Sequence, residues 1–275
     1  MKKHISSKRA FTLVELLVVI AIIALLIAIL LPVLIRVKQQ ALKLQCASNL
    51  RTLGHAMLIY TQENNGRFPN CITDDTSQPT AAECWPVRLR KILGGNRRVF
   101  YCPAQDPQCQ WSEDSPGVAQ PAPVSATWFG YELGERLLLG VGTYFSYGYN
   151  GAGSGGGPGF PGRGMGSDNY TGSPPSFKAG TRRMAMVKKA SEFIMIADTA
   201  ADAYADFGIA PRNTQTGVDV SLGTIHRGGC NVLFGDGHVQ WYLRADLTIA
   251  TPIGPEDAWK QRMWNMDNEP ARPWP

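Results

Sequence analysis

The residues with the clearest capacity for chemistry lie near the C-terminus. His226 is followed, after nine intervening residues, by Asp236-Gly237, and His238 comes next. Imidazole nitrogens and a carboxylate at one end of a hairpin can converge on a metal ion. In the structural interpretation, Asp236 hydrogen-bonds the backbone of its own turn and His226 bonds a neighbouring loop. We predict that the motif of His226, Asp236 and Gly237 is structural and needs no cofactor. A metal site formed by His226, Asp236 and His238 is the alternative.

The cysteines are the second set of candidate residues. They are Cys46, Cys71, Cys84, Cys102, Cys109 and Cys230. Zinc ligation competes with disulfide formation, but the spacings lack paired C-x-x-C elements. Cys102 and Cys109 bracket a short proline-containing loop, and closing such a loop stabilises a fold by roughly 2.5 kcal/mol in the chain-entropy model. We therefore predict disulfides, with Cys102 to Cys109 as the candidate pair.

Sequence motifs typical of enzymes are missing. The chain contains no G-x-S-x-G and no H-E-x-x-H. The glycines of residues 151–180 do not follow a strand and open a helix, as a phosphate-binding loop requires. Cys230 is close to His226 in sequence, but it is more easily a disulfide partner than a nucleophile. No run of alternating oxygen ligands indicates a calcium loop. We expect no enzymatic activity.

A single carboxylate, Glu15, stands at the start of the apolar run Leu16 to Ile35. About twenty apolar residues in a helix span roughly the 30 Å hydrocarbon core of a bilayer. A secretory signal peptide has an apolar region of only about 7 to 15 residues. An ionisable group inside the bilayer costs on the order of 2.5 kcal/mol or more and is usually paired or functional. The run therefore predicts a membrane helix in which Glu15 has a specific role.

The charge distribution separates the N-terminus from the rest of the chain. Four of the basic residues precede the apolar run, and subtracting them from the formal charge of +5 leaves +1. No basic patch then remains to indicate nucleic-acid binding. These residues are Lys2, Lys3, Lys8 and Arg9. Positive charge flanking a membrane helix keeps that side in the cytoplasm, so the C-terminal domain is expected outside, where disulfides persist.

The helix should extend well beyond the membrane. No proline follows Pro32 until Pro69, and apolar residues recur at alternating spacings of four and three, which predicts one buried stripe. The stripe consists of Cys46, Leu50, Leu53, Met57 and Tyr60. The cluster at 64–66, Asn-Asn-Gly, supplies the left-handed residue that ends a helix. The outer half of the helix is thus expected to pack on a globular domain.

The remaining chain contains patterns of antiparallel strands. Residues 191–198 predict a strand, and residues 231–243 predict a hairpin around its Asp-Gly turn. Further elements are a short helix at 85–93, strands at 99–103 and 143–149, and a short helix within 252–275. The Gly-rich segment 151–180 is expected to be an exposed, mobile loop because it buries too little apolar surface.

The N-terminal residues resemble a known signal. The sequence KRAFTLVE at residues 8–15, with Pro32 later in the helix, resembles the class III signal of type IV pilins and type II secretion pseudopilins. The resemblance implies that a prepilin peptidase cuts between Ala10 and Phe11 and that Phe11 is N-methylated. It also implies that Phe11 and Glu15 act in filament assembly. The family usually has Gly before the cut, where this chain has Ala10. An uncleaved signal anchor is the alternative.

A second resemblance covers the outer half of the helix and the C-terminal motif. The sequence CASNLRTLG at residues 46–54, the turn NGRFP at 65–69, and His226 with Asp236-Gly237 resemble a large bacterial group of pilin-like proteins. That group carries an H-x9-D-G motif near its C-terminus, and its function is poorly defined.

These observations predict an α+β, pilin-like fold: a long N-terminal transmembrane helix packed on an antiparallel β-sheet domain with long loops. The expected parts are a cytoplasmic leader at 1–10, a transmembrane helix at 11–35, its outer half at 36–64 and a globular domain at 65–275.

The expected function is that of a pseudopilin or minor pilin in a type II secretion or type IV pilus-like filament. Its expected partners are the prepilin peptidase, other subunits and the inner membrane. The protein would cross that membrane once, with the C-terminal domain in the periplasm or an extracellular filament. The alternative is a monomeric, membrane-anchored protein that binds extracellular ligands or glycans.

Overall fold

The computed structural model describes residues 13–69, 71–74, 82–110, 145–151, 164–166, 182–200, 208–211, 222–249 and 257–270. Its helices are α1 (Leu13–Glu63), α2 (Trp85–Arg90), α3 (Arg244–Leu247) and α4 (Ala258–Trp264). Its strands are β1 (Ile72–Asp74), β2 (Ala82–Cys84), β3 (Tyr147–Tyr149), β4 (Ile194–Asp198), β5 (Gly229–Phe234) and β6 (Val239–Leu243). The chain divides into two compact units, Met1–Ala41 and Leu42–Pro275.

In the first unit, the described residues form the apolar part of α1. This part is long and apolar enough to cross a membrane, and none of its most apolar stretch is buried. Pro32 lies inside the helix. A membrane helix tolerates such a proline because neighbouring groups satisfy the freed carbonyl. The predicted apolar helix is therefore present.

In the second unit, α1 contributes a buried stripe to the domain core. Cys46, Leu50, Leu53 and Met57 are fully buried and Tyr60 is partly buried against them, which confirms the stripe predicted from their spacing. The helix ends at Glu63, and the next residues with positive φ are Asn65 (+55°) and Gly66 (+77°). The amide of Gly66 donates to the carbonyl of Thr61 at 2.6 Å. Left-handed residues of this kind close helix C-termini, as the sequence predicted.

The main sheet is antiparallel, with four strands in the order β3-β4-β5-β6. The hairpin of β5 and β6 pairs Leu233 with Val239 and closes through the amide of Gly237, which donates to the carbonyl of Phe234 at 2.9 Å. A separate two-stranded sheet pairs β1 with β2. The long helix and the antiparallel sheet confirm the predicted α+β, pilin-like fold.

Strands β4 and β5 are buried on both faces, and each face belongs to a different apolar cluster. On one face, Leu233 packs in the cluster that contains the α1 stripe. On the other face, Val232 and Phe234 pack with Leu247 of α3 and Trp264 of α4. This alternation follows from the period of two along a strand. The sheet is therefore a central layer between α1 and the C-terminal helices.

The predicted strand at 99–103 is wrong. Arg98–Phe100 form a 3₁₀ turn, and the backbone amide of Arg98 donates to Oδ1 of Asn96 at 3.1 Å. Val99 and Phe100 are both buried. A strand would direct these two side chains to opposite faces, whereas the turn buries both in one core.

The predicted disulfide is also wrong. Cys102 is bonded to Cys46 of α1 and not to Cys109. Cys109 ends the 3₁₀ turn Pro107–Cys109, where its amide donates to the carbonyl of Asp106 at 2.9 Å. The stripe of α1 brings Cys46 to Cys102, so packing between distant segments selects the pair instead of the shortest loop.

Part of the Gly-rich segment is ordered and buried, contrary to the predicted exposed loop. The amide of Met165 donates to the carbonyl of Asn150 at 2.9 Å, and Met165 lies in the core. The amide of Cys71 donates to the carbonyl of Gly166 at 3.1 Å. Residues 152–163 and 167–181 lie outside the described residues, as do 143–144 of a predicted strand and 252–256 and 271–275 of the tail.

Candidate functional site

His226 is held by a tight reversal that precedes β5. Arg227 and Gly228 both adopt positive φ, at +58° and +81°, so the chain turns back and Gly229 pairs with His226. The carbonyl of His226 accepts a hydrogen bond from the indole of Trp241 at 3.0 Å. The side chain of His226 is buried. The backbone thus fixes this imidazole in the interior.

The imidazole of His226 is part of a buried cluster of four side chains. Its Nε2 lies 3.4 Å from Sγ of Cys102 and 3.5 Å from Oδ2 of Asp198. Cys46 joins through its disulfide to Cys102. One donor atom from each residue lies within 4.8 Å of the others. The four come from α1, the turn after residue 100, the end of β4 and the turn before β5.

Asp198 is a buried carboxyl group that is only half satisfied. Its Oδ2 accepts a hydrogen bond from the amide of Asn231 at 2.7 Å, and its Oδ1 has no hydrogen-bond partner. Burial raises the pKa of Asp198 to about 7, against the opposing effect of the hydrogen bonds from Asn231. An unpartnered buried oxygen costs about 1 to 3 kcal/mol. Such a group calls for an explanation.

The electrostatic surroundings of the cluster favour a neutral imidazole. Burial lowers the pKa of His226 to about 4, and the nearby charge of Lys43 contributes. The Nζ of Lys43 lies 4.2 Å from the ring centre of Trp241. A neutral imidazole with a free ring nitrogen is the form of histidine that binds a metal. The cluster therefore offers nitrogen, oxygen and, when the disulfide is open, sulfur donors.

The other motif residues lie in the hairpin turn. Oδ1 of Asp236 accepts a hydrogen bond from the backbone amide of His238 at 3.1 Å and also contacts Nδ1 of its ring. Gly237 has a φ of +89°, and the ring of His238 stacks on Phe234 at 4.4 Å. Asp236 therefore hydrogen-bonds the backbone of its own turn, which is the geometry of the structural interpretation. His226 lies in the buried cluster instead, so the alternative metal set is not brought together.

Asp198 was not predicted as a site residue, and Cys46 was named among the cysteines but not placed in the predicted pair; each carries a signal in the sequence. Asp198 ends the strand Ile194–Asp198, which is otherwise apolar. A carboxylate in a buried strand is rarely tolerated without a partner. Cys46 lies in the helical stripe, where a cysteine passes for a small apolar residue.

The N-terminal site residues are only partly described. Glu15 lies in the first turn of α1 and is exposed. Ala10 and Phe11, the predicted cleavage and methylation sites, lie outside the described residues. Their roles stay predictions.

Comparison with known proteins identifies the N-terminal segment. Residues 5–31 match the prokaryotic N-terminal methylation motif. No curated protein and no solved structure matches the chain significantly. The matched residues lead directly into the apolar part of α1, whose outer part packs against an antiparallel sheet. The chain therefore carries a prepilin-type methylation motif at the start of a long apolar helix, in an α+β, pilin-like architecture.

Proposed function

We propose that the protein is a structural subunit, a pseudopilin or minor pilin, of a type II secretion or type IV pilus-like filament. The methylation motif at residues 5–31 is the observation that carries this proposal. Prepilin peptidase removes residues 1–10, and the protein is held in the inner membrane with its C-terminal domain outward. Its role is assembly, not catalysis.

The apolar surface of α1 supports assembly. Large apolar side chains along the helix are about half exposed or more, from Leu13 (79%) to Val37 (58%). A continuous apolar surface of this size needs lipid or other apolar helices to cover it. In a membrane it meets lipid, and in a filament it would meet the same helix of neighbouring subunits.

Glu15 gives this association a specific driving force. Cleavage before Phe11 creates a positively charged amine close in sequence to Glu15. Two unit charges about 4 Å apart attract by roughly 4 kcal/mol at an effective dielectric of about 20. This attraction is comparable to the cost of holding a carboxylate in lipid. A pair between the amine of one subunit and Glu15 of the next would favour the assembled state only after processing.

The test is Glu15→Leu in the full-length protein, with single cysteines introduced at Ile20 and Ile27 to report contacts between helices. We expect membrane insertion and cleavage to be retained and cross-linking between subunits to be lost. Glu15→Asp, which keeps the charge, is the matched control and should retain cross-linking. Undiminished cross-linking in Glu15→Leu would contradict the filament proposal and favour a monomeric, membrane-anchored binding protein.

A further inference from the structure

The buried cluster around His226 has features that a disulfide alone does not require. A disulfide needs only its two sulfur atoms, yet a carboxylate and an imidazole lie against it, both buried. Oδ1 of Asp198 has no hydrogen-bond partner. Among the residues that the structure describes, this is the one group of histidine, cysteine and acidic side chains close enough to share a metal ion.

We propose that Cys46, Cys102, Asp198 and His226 form a zinc-binding site when the two cysteines are reduced. Two thiolates, one imidazole and one carboxylate are ligands that Zn²⁺ commonly takes in four-coordinate sites. The site is independent of the filament role, because it lies in the second unit, Leu42–Pro275, and uses none of the N-terminal residues.

The distances fit a tetrahedral ion. Zinc bonds of about 2.3 Å to sulfur and about 2.0 to 2.2 Å to nitrogen or oxygen place neighbouring ligand atoms roughly 3.3 to 3.8 Å apart. Nε2 of His226 already lies at 3.4 Å from Sγ of Cys102 and at 3.5 Å from Oδ2 of Asp198. In the reduced protein the two sulfur atoms must also separate to a ligand-to-ligand distance of roughly 3.8 Å.

The surroundings supply the outer partners that metal ligands need. The amide of Asn231 donates to Oδ2 of Asp198, the oxygen that faces Nε2 of His226, and so orients the carboxylate, while Oδ1 has no hydrogen-bond partner. Outer hydrogen bonds of this kind fix ligating groups in position. Two thiolates and a carboxylate around Zn²⁺ carry a net charge of −1, and Lys43 provides a positive charge near His226.

Zinc binding and disulfide formation exclude one another. Zinc displaces the two thiol protons and bonds to both sulfur atoms. Oxidation instead removes the same two protons, transfers two electrons from the sulfur atoms to a disulfide oxidant, and joins the two sulfur atoms in a bond. The newly made chain carries thiols, so zinc can bind before oxidation. Both states connect α1 to the rest of the domain at the same point, so the ion would hold the domain together wherever the disulfide is not formed.

The test measures metal in the full-length protein in detergent. The protein is purified without oxygen and treated with a phosphine. The phosphine reduces the disulfide and takes the oxygen of one water molecule to become a phosphine oxide, while the two protons go to the thiols. The reduced protein is then dialysed against Zn²⁺ or Co²⁺. We expect one zinc per chain by mass spectrometry. With Co²⁺ we expect thiolate charge-transfer absorption together with the visible bands of a tetrahedral ion. Zinc should also slow the alkylation of Cys46 and Cys102.

Variants identify the ligands. Asp198→Asn should weaken zinc binding by at least about tenfold, and Cys46→Ser with Cys102→Ser should abolish the charge-transfer band. His238→Ala, which changes the exposed hairpin histidine, is the matched control and should bind normally. Absence of zinc from wild-type protein whose thiols are shown to be reduced would overturn the proposal. Unchanged zinc binding in the cysteine double variant would also overturn the proposal, because the bound zinc would then be an adventitious ion only. The cobalt spectrum of the wild type decides the question even if a variant fails to fold.

Discussion

Gly54 of α1 lies directly against Leu233 of β5. A Cβ atom at position 54 would be 2.8 Å from Cδ1 of Leu233, and both residues are buried. This contact is where the helix approaches the middle of the sheet, in the same cluster as Leu50, Leu53 and Met57. The small residue allows the close approach.

Gly54→Val should destabilise the outer domain by about 1 to 3 kcal/mol, because extra atoms in a packed core force its neighbours to move. Urea unfolding of the full-length protein in detergent measures the change. The control is His55→Val, which places the same β-branched side chain at an exposed position of the same helix. If adding Leu233→Ala to Gly54→Val restores no stability, this contact is not the cause.

Loss of the disulfide should destabilise the domain under oxidising conditions. In the chain-entropy model, a bond that closes the loop from Cys46 to Cys102, a sequence separation of 56, contributes about 4 kcal/mol. Cys46→Ser with Cys102→Ser should therefore lower the free energy of unfolding by about 2 to 4 kcal/mol. Non-reducing peptide mapping checks the pair directly. A linked peptide of Cys102 and Cys109 would contradict the structure.

Gly237→Val should destabilise the hairpin through its backbone. Gly237 has a φ of +89°, and no heavy atom would lie within 4 Å of an added Cβ. The cost is therefore conformational: roughly 1 to 2 kcal/mol or more for a β-branched residue. Gly237→Asn is the control, since asparagine tolerates positive φ better, and it should lose less stability in thermal unfolding. Equal losses in the two variants would show that conformation is not the cause.

Asn150→Ala should loosen the attachment of α4 to the sheet. The side-chain amide of Asn150 donates to the carbonyls of Ile194 and Trp264, at 2.8 Å and 2.9 Å, and the residue is fully buried. Removing a buried donor costs about 1 to 3 kcal/mol. Hydrogen exchange should then increase around Trp264. Asn96→Ala, which removes an exposed turn hydrogen bond, is the control and should leave that region unchanged.

The mature protein should begin at a methylated Phe11. The basic leader and the motif at residues 5–31 predict a cut after Ala10. N-terminal mass spectrometry of membrane-extracted protein checks this. Ala10→Gly, which installs the residue usual in the resembled family, should be processed at least as completely. A chain that begins at Met1 would contradict the prediction.

The sequence by itself determined the features that depend on near neighbours. The extent of α1, its buried stripe and its end before Gly66 follow from helical spacing and a residue that can adopt positive φ. The hairpin follows from the Asp236-Gly237 turn between apolar strands. These patterns need no knowledge of the rest of the chain, because each is set within one or two turns of backbone.

Tertiary structure decided which distant residues meet. Cys102 lies 56 residues from Cys46 and 124 from His226, and nothing in the local pattern around Cys102 prefers these partners to Cys109. The choice depends on packing α1 against β5, which brings Cys46, the end of β4 and the turn before β5 to one point. Val99 and Phe100 show the same limit, because burial of both in one core overrode their strand propensity. Long-range contacts of this kind are selected by the packing of the whole domain, so the buried cluster is visible only in the folded chain.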